Sequence, residues 1–278
     1  MKGTRFRPII RECLGRLSRE TRLALTPIPK DNTWVFIVGC YNSGTTLLSE
    51  ILGNHPSISA LTTEGHFITD QFIQDYKIGL PRMWVEREDL FCLTENDTGP
   101  DPIRLKKEWA MRLDTRKPIL LEKSPPNSAK TRWLQEHFKN SKFIGIIRNP
   151  YAVSEGITRK ANPTHLIDSW PIEMSANQWL RSNTILKNDS KHLKSFQWIS
   201  YEDFTEDTQA TLKKITDFIG IEEFPKFESN KSWSIHERNE NIKNMNSQSI
   251  NNLDSKQIEK INNVLGDQLS EFNYEKIT

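Results

Sequence analysis

The strongest apolar signal in the chain is the run Trp-Val-Phe-Ile-Val-Gly at residues 34–39, unbroken by a polar side chain. Such a run predicts a strand covered on both faces in a parallel sheet. A polar, glycine-bearing turn follows. After it, Leu47, Leu48, Ile51 and Leu52 fall on one helical face, with Gly53 and Pro56 marking the stop. The alternation repeats. Residues 118–122 predict a strand and 128–138 a helix, and 142–147 predict a strand and 151–160 a helix. Residues 196–200 predict the last core strand, before a helix that aligns Leu212, Ile215, Phe218 and Ile219. Residues 230–252 are asparagine-rich without periodicity and predict a long loop, and Ile258, Ile261, Leu265 and Leu269 line one face of a closing helix. Strands alternating with helices predict an α/β domain with a mostly parallel central sheet.

No internal repeat and no linker divides the chain, so it reads as one domain over residues 31–278 preceded by a basic arm, residues 1–30. At 278 residues it is long enough to bury a sizeable core. Charge changes the picture in one respect. The net +2 conceals eight Lys/Arg against two acidic residues in the arm, a local +6, which leaves −4 on the remainder. A nucleic-acid surface over the body is therefore not expected, and any anion site there must be local. The arm is expected either to pack on the domain as a solvated helix or to touch an anionic membrane surface peripherally. No apolar run approaches the roughly 18 residues of a membrane span, and the N-terminus lacks the apolar core of a secretory signal. Cys13, Cys40 and Cys92 fit neither a disulfide framework nor a metal site, so a reducing, cytoplasmic setting is expected.

Candidate chemistry concentrates in Gly39-Cys40-Tyr41-Asn42-Ser43-Gly44-Thr45-Thr46, between the best strand and an amphipathic helix. Gly39 and Gly44 have the spacing of the loop that wraps phosphates with backbone N–H groups at a helix N-terminus. The lysine that such a loop uses on the β/γ-phosphates of an NTP is replaced by Thr45, which argues against a kinase or GTPase.

From Trp34 to Pro56 the segment resembles the 5′-phosphosulfate-binding loop of sulfotransferases that use 3′-phosphoadenosine 5′-phosphosulfate (PAPS), especially the tyrosylprotein and heparan branches and their bacterial relatives. The resemblance implies a P-loop-like three-layer α/β/α fold, PAPS as co-substrate with PAP as product, and no metal. It also implies a 5′-phosphate held by Ser43, Gly44, Thr45 and Thr46, with Asn42 beside them. Asn42 departs from the family, which commonly has Lys or Arg there, so a hydrogen bond can be kept while a positive charge is lost. The strand-like stretch ending in Arg148-Asn149-Pro150 resembles the family's 3′-phosphate segment, which implies that Arg148 clamps that phosphate through charge-assisted hydrogen bonds. The family's serine eight residues later is replaced by Gly156, with Ser154 the nearby candidate. Residues 120–127 (Leu-Leu-Glu-Lys-Ser-Pro-Pro-Asn) and 198–204 (Trp-Ile-Ser-Tyr-Glu-Asp-Phe) resemble family segments as well.

Sulfuryl transfer needs a base for the acceptor hydroxyl and a cation near the leaving 5′-phosphate. Glu64 ends the stretch Ile-Ser-Ala-Leu-Thr-Thr-Glu, near the carboxyl edge where open α/β sheets place their sites, and is the candidate base. Glu64-Gly65-His66-Phe67 also resembles the family's Glu-x-His-Phe, and His66 is the rival base. Lys123, following the strand-like Ile-Leu-Leu-Glu, is expected in the same crevice as the group that stabilises the leaving phosphate, while Glu122 is expected to pair with a neighbour.

The leading expectation is sulfuryl transfer from PAPS to a hydroxyl of a carbohydrate, a tyrosyl residue or a small molecule. The alternatives are a small-molecule P-loop kinase and a catalytically weakened nucleotide- or partner-binding protein, the latter suggested by Asn42 and Gly156. Residues 75–117 and 160–172 are expected to shape the acceptor pocket. Trp84, Trp109, Trp170 and Trp179 either stack on an acceptor ring or pack in the core.

Overall fold

Val35, Phe36, Ile37 and Val38 have no exposed surface, as an uninterrupted apolar strand requires, because β1 (Thr33–Val38) runs through the middle of the sheet. The computed structural model describes residues 17–160, 169–224 and 242–278, together with the backbone of 233–235 and 238–240. Four further strands, β2 (Ile58–Ala60), β3 (Ile119–Lys123), β4 (Ser141–Ile147) and β5 (Phe196–Ser200), join β1 in an all-parallel sheet ordered β2-β3-β1-β4-β5. The helices are α1 (17–25), α2 (Thr45–Gly53), α3 (Glu88–Phe91), α4 (Pro102–Ala110), α5 (Thr131–His137) and α6 (Pro150–Lys160). They continue with α7 (Ile172–Ser190), α8 (Tyr201–Glu206), α9 (Thr208–Ile219), α10 (Asn246–Ile250) and α11 (Ser255–Leu265).

The period of two in a strand sends alternate β1 side chains to opposite faces. Val35 and Ile37 pack with Leu48, Ile51, Phe204, Leu212 and Ile215 of α2, α8 and α9. Trp34, Phe36 and Val38 pack with Leu105, Trp109, Trp133 and Leu134 of α4 and α5. The sheet is thus covered by helices on both faces. A third cluster, beyond the carboxyl end of β1, joins Cys40 and Tyr41 to Trp84, Tyr151, Trp179 and Ile261.

The sequence pattern places β1, β3, β4 and β5, marks β2 only as the stretch that ends at Glu64, and misses the helices α3, α4, α7, α8 and α10. The buried face of α7 includes Ser175, Gln178, Ser182 and Asn183, so its apolar period is broken and no helical stripe shows in the sequence. In α4 the start is set by Asp101, whose carboxylate accepts from the N–H groups of Ile103 and Arg104, with Pro102 in the first turn. The long loop expected over residues 230–252 is corrected: 233–235 and 238–240 pair as short antiparallel strands, and α10 follows. Asn246, the first residue of α10, is held there by tertiary bonds from Arg148 and to Glu202, which no local pattern encodes.

The second half of the basic arm is helical and packed. Leu23 is buried, and Arg19 and Glu20 form ion pairs with Glu108 and Arg104. Residues 1–16, with Cys13, and 161–168 of the expected acceptor loop lie outside the described residues. Trp84, Trp109 and Trp179 have no exposed surface and belong to the core, so they offer no ring to an acceptor. Among the described residues no helix is long and apolar enough to cross a membrane.

Candidate functional site

The site grows from the carboxyl ends of β1 and β3, in the crevice beside the point where the chain leaves the central strand in both directions. Gly44 sits at φ 94°, and a Cβ there would stand 2.7 Å from a ring carbon of Tyr201, so the turn into α2 requires glycine. Asn42, at φ 60°, is one of the few side-chain-bearing residue types that enter the left-handed region readily. Ser128 fixes the entry to the loop, its hydroxyl accepting from the Gly39 N–H at 2.9 Å. No side chain caps the start of α2. The first-turn N–H groups of α2 have no acceptor within the helix, so they are available to an anion, favoured further by the helix dipole.

Lys123 and Glu64 meet at this edge. The Lys123 Nζ donates to Glu64 Oε1 at 2.7 Å and to Thr46 Oγ1 at 3.2 Å, tying β3 to the first turn of α2 and to the Glu64 turn. Both side chains are mostly buried, with 11% and 20% of their surfaces exposed. Glu64 Oε2 lies 3.6 Å from His66 Nδ1, too far for a hydrogen bond. Burial, followed by the charges of Lys130 and Lys123, pushes His66 down to about 3, so the ring is neutral near pH 7 and this approach is no ion pair. Both ring nitrogens of His66 are buried without a partner among the described residues.

One strand position earlier, Glu122 points the other way and is fully buried. Its Oε1 accepts from the Gly65 N–H at 2.9 Å and from the Ser124 hydroxyl, and its Oε2 accepts from Asn127 Nδ2 at 2.7 Å. Burial pushes Glu122 up to about 7 despite these donors. Trp109 Nε1 donates to the Gly65 carbonyl at 3.0 Å, so both polar groups of that peptide pair are claimed. A Cβ at Gly65 would stand 2.7 Å from Glu122 Oε1 and 2.8 Å from Trp109 Nε1, which excludes any side chain there. The Glu64–His66 turn is therefore positioned by a buried carboxylate and an indole. A charged residue inside the buried run of β3 was the signal for this role.

Arg148, at the end of β4, is 8% exposed. Its Nε donates to Asn246 Oδ1 and its Nη1 to the Asn42 carbonyl, each at 2.8 Å, and its guanidinium carbon lies 4.1 Å from the Tyr201 ring centre. Its Nη2 is buried without a partner among the described residues, as are Asn42 Nδ2 and Ser43 Oγ. Burial pulls Arg148 down from its ordinary value, opposed by Tyr201 and Glu202, and a guanidinium stays charged throughout. Asn246 is 98 residues away in sequence, and nothing local announces it.

Ser154 is not presented to a ligand: it has no exposed surface, and its hydroxyl donates to the Pro150 carbonyl at 2.7 Å one turn earlier. Gly156 and Asn42, the two departures from the family pattern, lie side by side. A Cβ at Gly156 would stand 3.2 Å from Asn42 Cγ, so a serine there would crowd the Asn42 amide. The structure brings together Asn42, Ser43, Gly44, Thr45, Thr46, Lys123, Glu64, His66 and Arg148 at one sheet edge. The arrangement can hold an anion on amides and a guanidinium, and can take a proton at a carboxylate beside it.

Comparison with known proteins bears on this geometry. The family model described as Sulfotransferase family matches residues 35–226. The fold is similar to sulfotransferase STF9 from Mycobacterium avium (11% identity, 94% of this chain and 81% of that one, TM-score 0.54). It is also similar to a sulfotransferase domain from the curacin biosynthetic pathway (20% identity, 88% and 99%, TM-score 0.52). A third similar structure is the mouse sulfotransferase SULT7A1, solved in complex with PAP (17% identity, 91% and 90%, TM-score 0.50). A sequence comparison with curated proteins returned no match.

Proposed function

The chain belongs to the sulfotransferase family, and from that premise we propose that it moves the sulfuryl group of PAPS to an acceptor hydroxyl. The observation that carries the reading is the set of buried polar atoms without partners around the glycine turn: Arg148 Nη2, Ser43 Oγ and Asn42 Nδ2. A buried donor left unpaired costs about 1–3 kcal/mol, and an anionic ligand relieves that cost. These residues fit a nucleotide carrying phosphate at two ends. Ser43, the amides of Gly44, Thr45 and Thr46, and the Asn42 amide would hold the 5′ end, and Arg148 the 3′-phosphate. Their chemistry is that of donors, which suits phosphate oxygens. Bound PAPS supplies an activated sulfuryl group on a phosphate leaving group.

The protein's own part is positioning and proton transfer. Glu64 accepts the proton of the acceptor hydroxyl at Oε2, the oxygen that its bond to Lys123 leaves free. Lys123, already on Thr46 of the loop, supports the charge that grows on the leaving phosphate. His66, pushed down to about 3, is a poor base near neutral pH and lines the site as a neutral ring. The free thiols of Cys40 and Cys92 suit a cytoplasmic setting.

Titration calorimetry with PAP in EDTA tests the reading. Binding without metal is the expected result. Failure to bind PAP, together with binding of ATP–magnesium, would move the assignment to a kinase.

A further inference from the structure

Next to the loop lies a cation whose backbone is strained and whose guanidinium forms no ion pair among the described residues. Arg82 sits at φ 65°, in the left-handed region that arginine rarely enters. Three contacts hold it there. Its N–H donates to Asp75 Oδ2 at 2.8 Å, the buried Asp75 also accepts from the Tyr41 hydroxyl at 2.6 Å, and Trp170 Nε1 donates to the Pro81 carbonyl at 2.9 Å. The turn is thus bolted to Tyr41, a residue of the glycine loop. The Arg82 guanidinium lies 5.6 Å from the Tyr41 ring centre. Among the described residues, neither Arg82 nor Lys160, at the end of α6, has a hydrogen bond or ion pair through its side chain beyond this ring contact.

The two cations feel one another. Lys160 is pushed down to about 8 by burial and then by the like charges of Arg82, Arg159 and Arg148, with Glu155 acting against them. Glu155 is itself taken by Arg159, at 2.6 Å. Gln74, the neighbour of Asp75, donates from Nε2 to the His66 carbonyl at 2.8 Å, so the turn that holds Arg82 is tied to the Glu64–His66 turn as well as to the loop. Strained backbone and clustered like charge concentrate at ligand sites.

We propose that Arg82, seconded by Lys160, reads an anionic group on the acceptor, so that the hydroxyl substrate of this protein is itself an acid carrying a carboxylate, sulfate or phosphate. The inference rests on the sulfotransferase reading for the word acceptor, and on Arg82 and Lys160 alone for the anion. Arg148 keeps its free Nη2 for the donor nucleotide.

The test uses inorganic pyrophosphate as the probe, titrated onto the PAP-saturated protein and followed by phosphorus NMR. Saturable binding is expected, weakened at least about tenfold by Arg82→Ala and less by Lys160→Ala, with PAP affinity within about twofold of the parent. Arg82→Gly relieves the left-handed strain, so its melting temperature should not fall while pyrophosphate binding is still lost. That variant separates a binding defect from a folding defect. The proposal is overturned if the PAP complex takes up no pyrophosphate, if the Arg82 variants bind it like the parent, or if they weaken PAP as much as Arg148→Ala does. The last result would give Arg82 to the donor. If the parent binds no PAP at all, the donor reading fails separately. The same titration on the nucleotide-free protein then decides the anion site, with Arg82-independent uptake overturning it.

Discussion

Lys123 and Glu64, 59 residues apart in sequence, are joined by a 2.7 Å ion pair across the carboxyl edge of the sheet. The proposed base and the proposed leaving-group cation therefore hold one another in place, and neither acts independently. Glu64→Gln should lower kcat by about 10²–10⁴-fold with PAP affinity little changed. Lys123→Ala should lower it by about 10²–10³-fold with some loss of PAP affinity. Because the pair acts as a unit, the double variant should lose much less than the product of the two. A double-mutant cycle on kcat checks this, and additive losses would mean that the contact has no catalytic consequence. His66→Ala serves as the comparison, with a smaller loss expected. Abolished turnover there, beside a near-normal Glu64→Gln, would give the base role to the histidine.

Two donors of the anion site should separate stability from binding. Arg148 bonds Asn42 and Asn246 as well as offering its free Nη2. Arg148→Ala should therefore weaken PAP by about ten- to hundredfold and also destabilise the fold by about 1–3 kcal/mol. The binding loss should shrink for a nucleotide without the 3′-phosphate. Among the described residues the Ser43 hydroxyl has no partner, so Ser43→Ala should leave the unfolding midpoint unchanged or raised, yet weaken PAP by about tenfold. Calorimetry and denaturant titration on both variants read these quantities. A destabilised Ser43→Ala with normal PAP binding would contradict the assignment.

Glu122 gives a pH signature. Its folded value, about 7, stands above the ordinary 4.5, so between these limits the folded state binds the extra proton. Stability from this group is thus highest in acid and falls as pH rises towards 7, by on the order of 3 kcal/mol. His66, with its depressed value, works in the opposite sense over about pH 3 to 6.5, but it is common to parent and variant. Glu122→Gln should therefore gain on the parent from about pH 4.5 to about pH 7 and level off above that. Asn127, whose Oδ1 is unpaired, can turn its amide to meet the new side chain. Urea midpoints at several pH values measure the difference, and a difference independent of pH would refute a buried titrating carboxylate.

The helix at residues 17–25 is better described as part of the folded body than as a free arm. Leu23 is buried, and Arg19 donates to Glu108 at 2.7 Å, a carboxylate with no exposed side-chain surface. A chain beginning at residue 28 should lose about 2–4 kcal/mol, from the lost apolar burial and the weakened pairing of Glu108. Equal unfolding midpoints for the shortened and full chains would show that this packing adds no stability.

The alternation of apolar runs and helical stripes determined the parallel sheet, and the Gly39-to-Thr46 turn with Arg148 pointed to an anion site. Both are local: a strand buried on two faces must be apolar throughout, and a phosphate-wrapping turn must have glycine where Gly44 adopts φ 94°. The tertiary structure decided what depends on residues far apart. It joined Lys123 to Glu64, set Glu122 and Trp109 on either side of Gly65, and brought Asn246 to Arg148. It packed Asn42 against Gly156, so two departures that look independent in sequence occupy one space. It also bent Arg82 into a left-handed turn that no sequence pattern around Pro81 announces. Local propensity acts over a few residues, whereas the direction of a side chain and the partner it finds are set by which strands lie side by side. That ordering belongs to the packed fold as a whole.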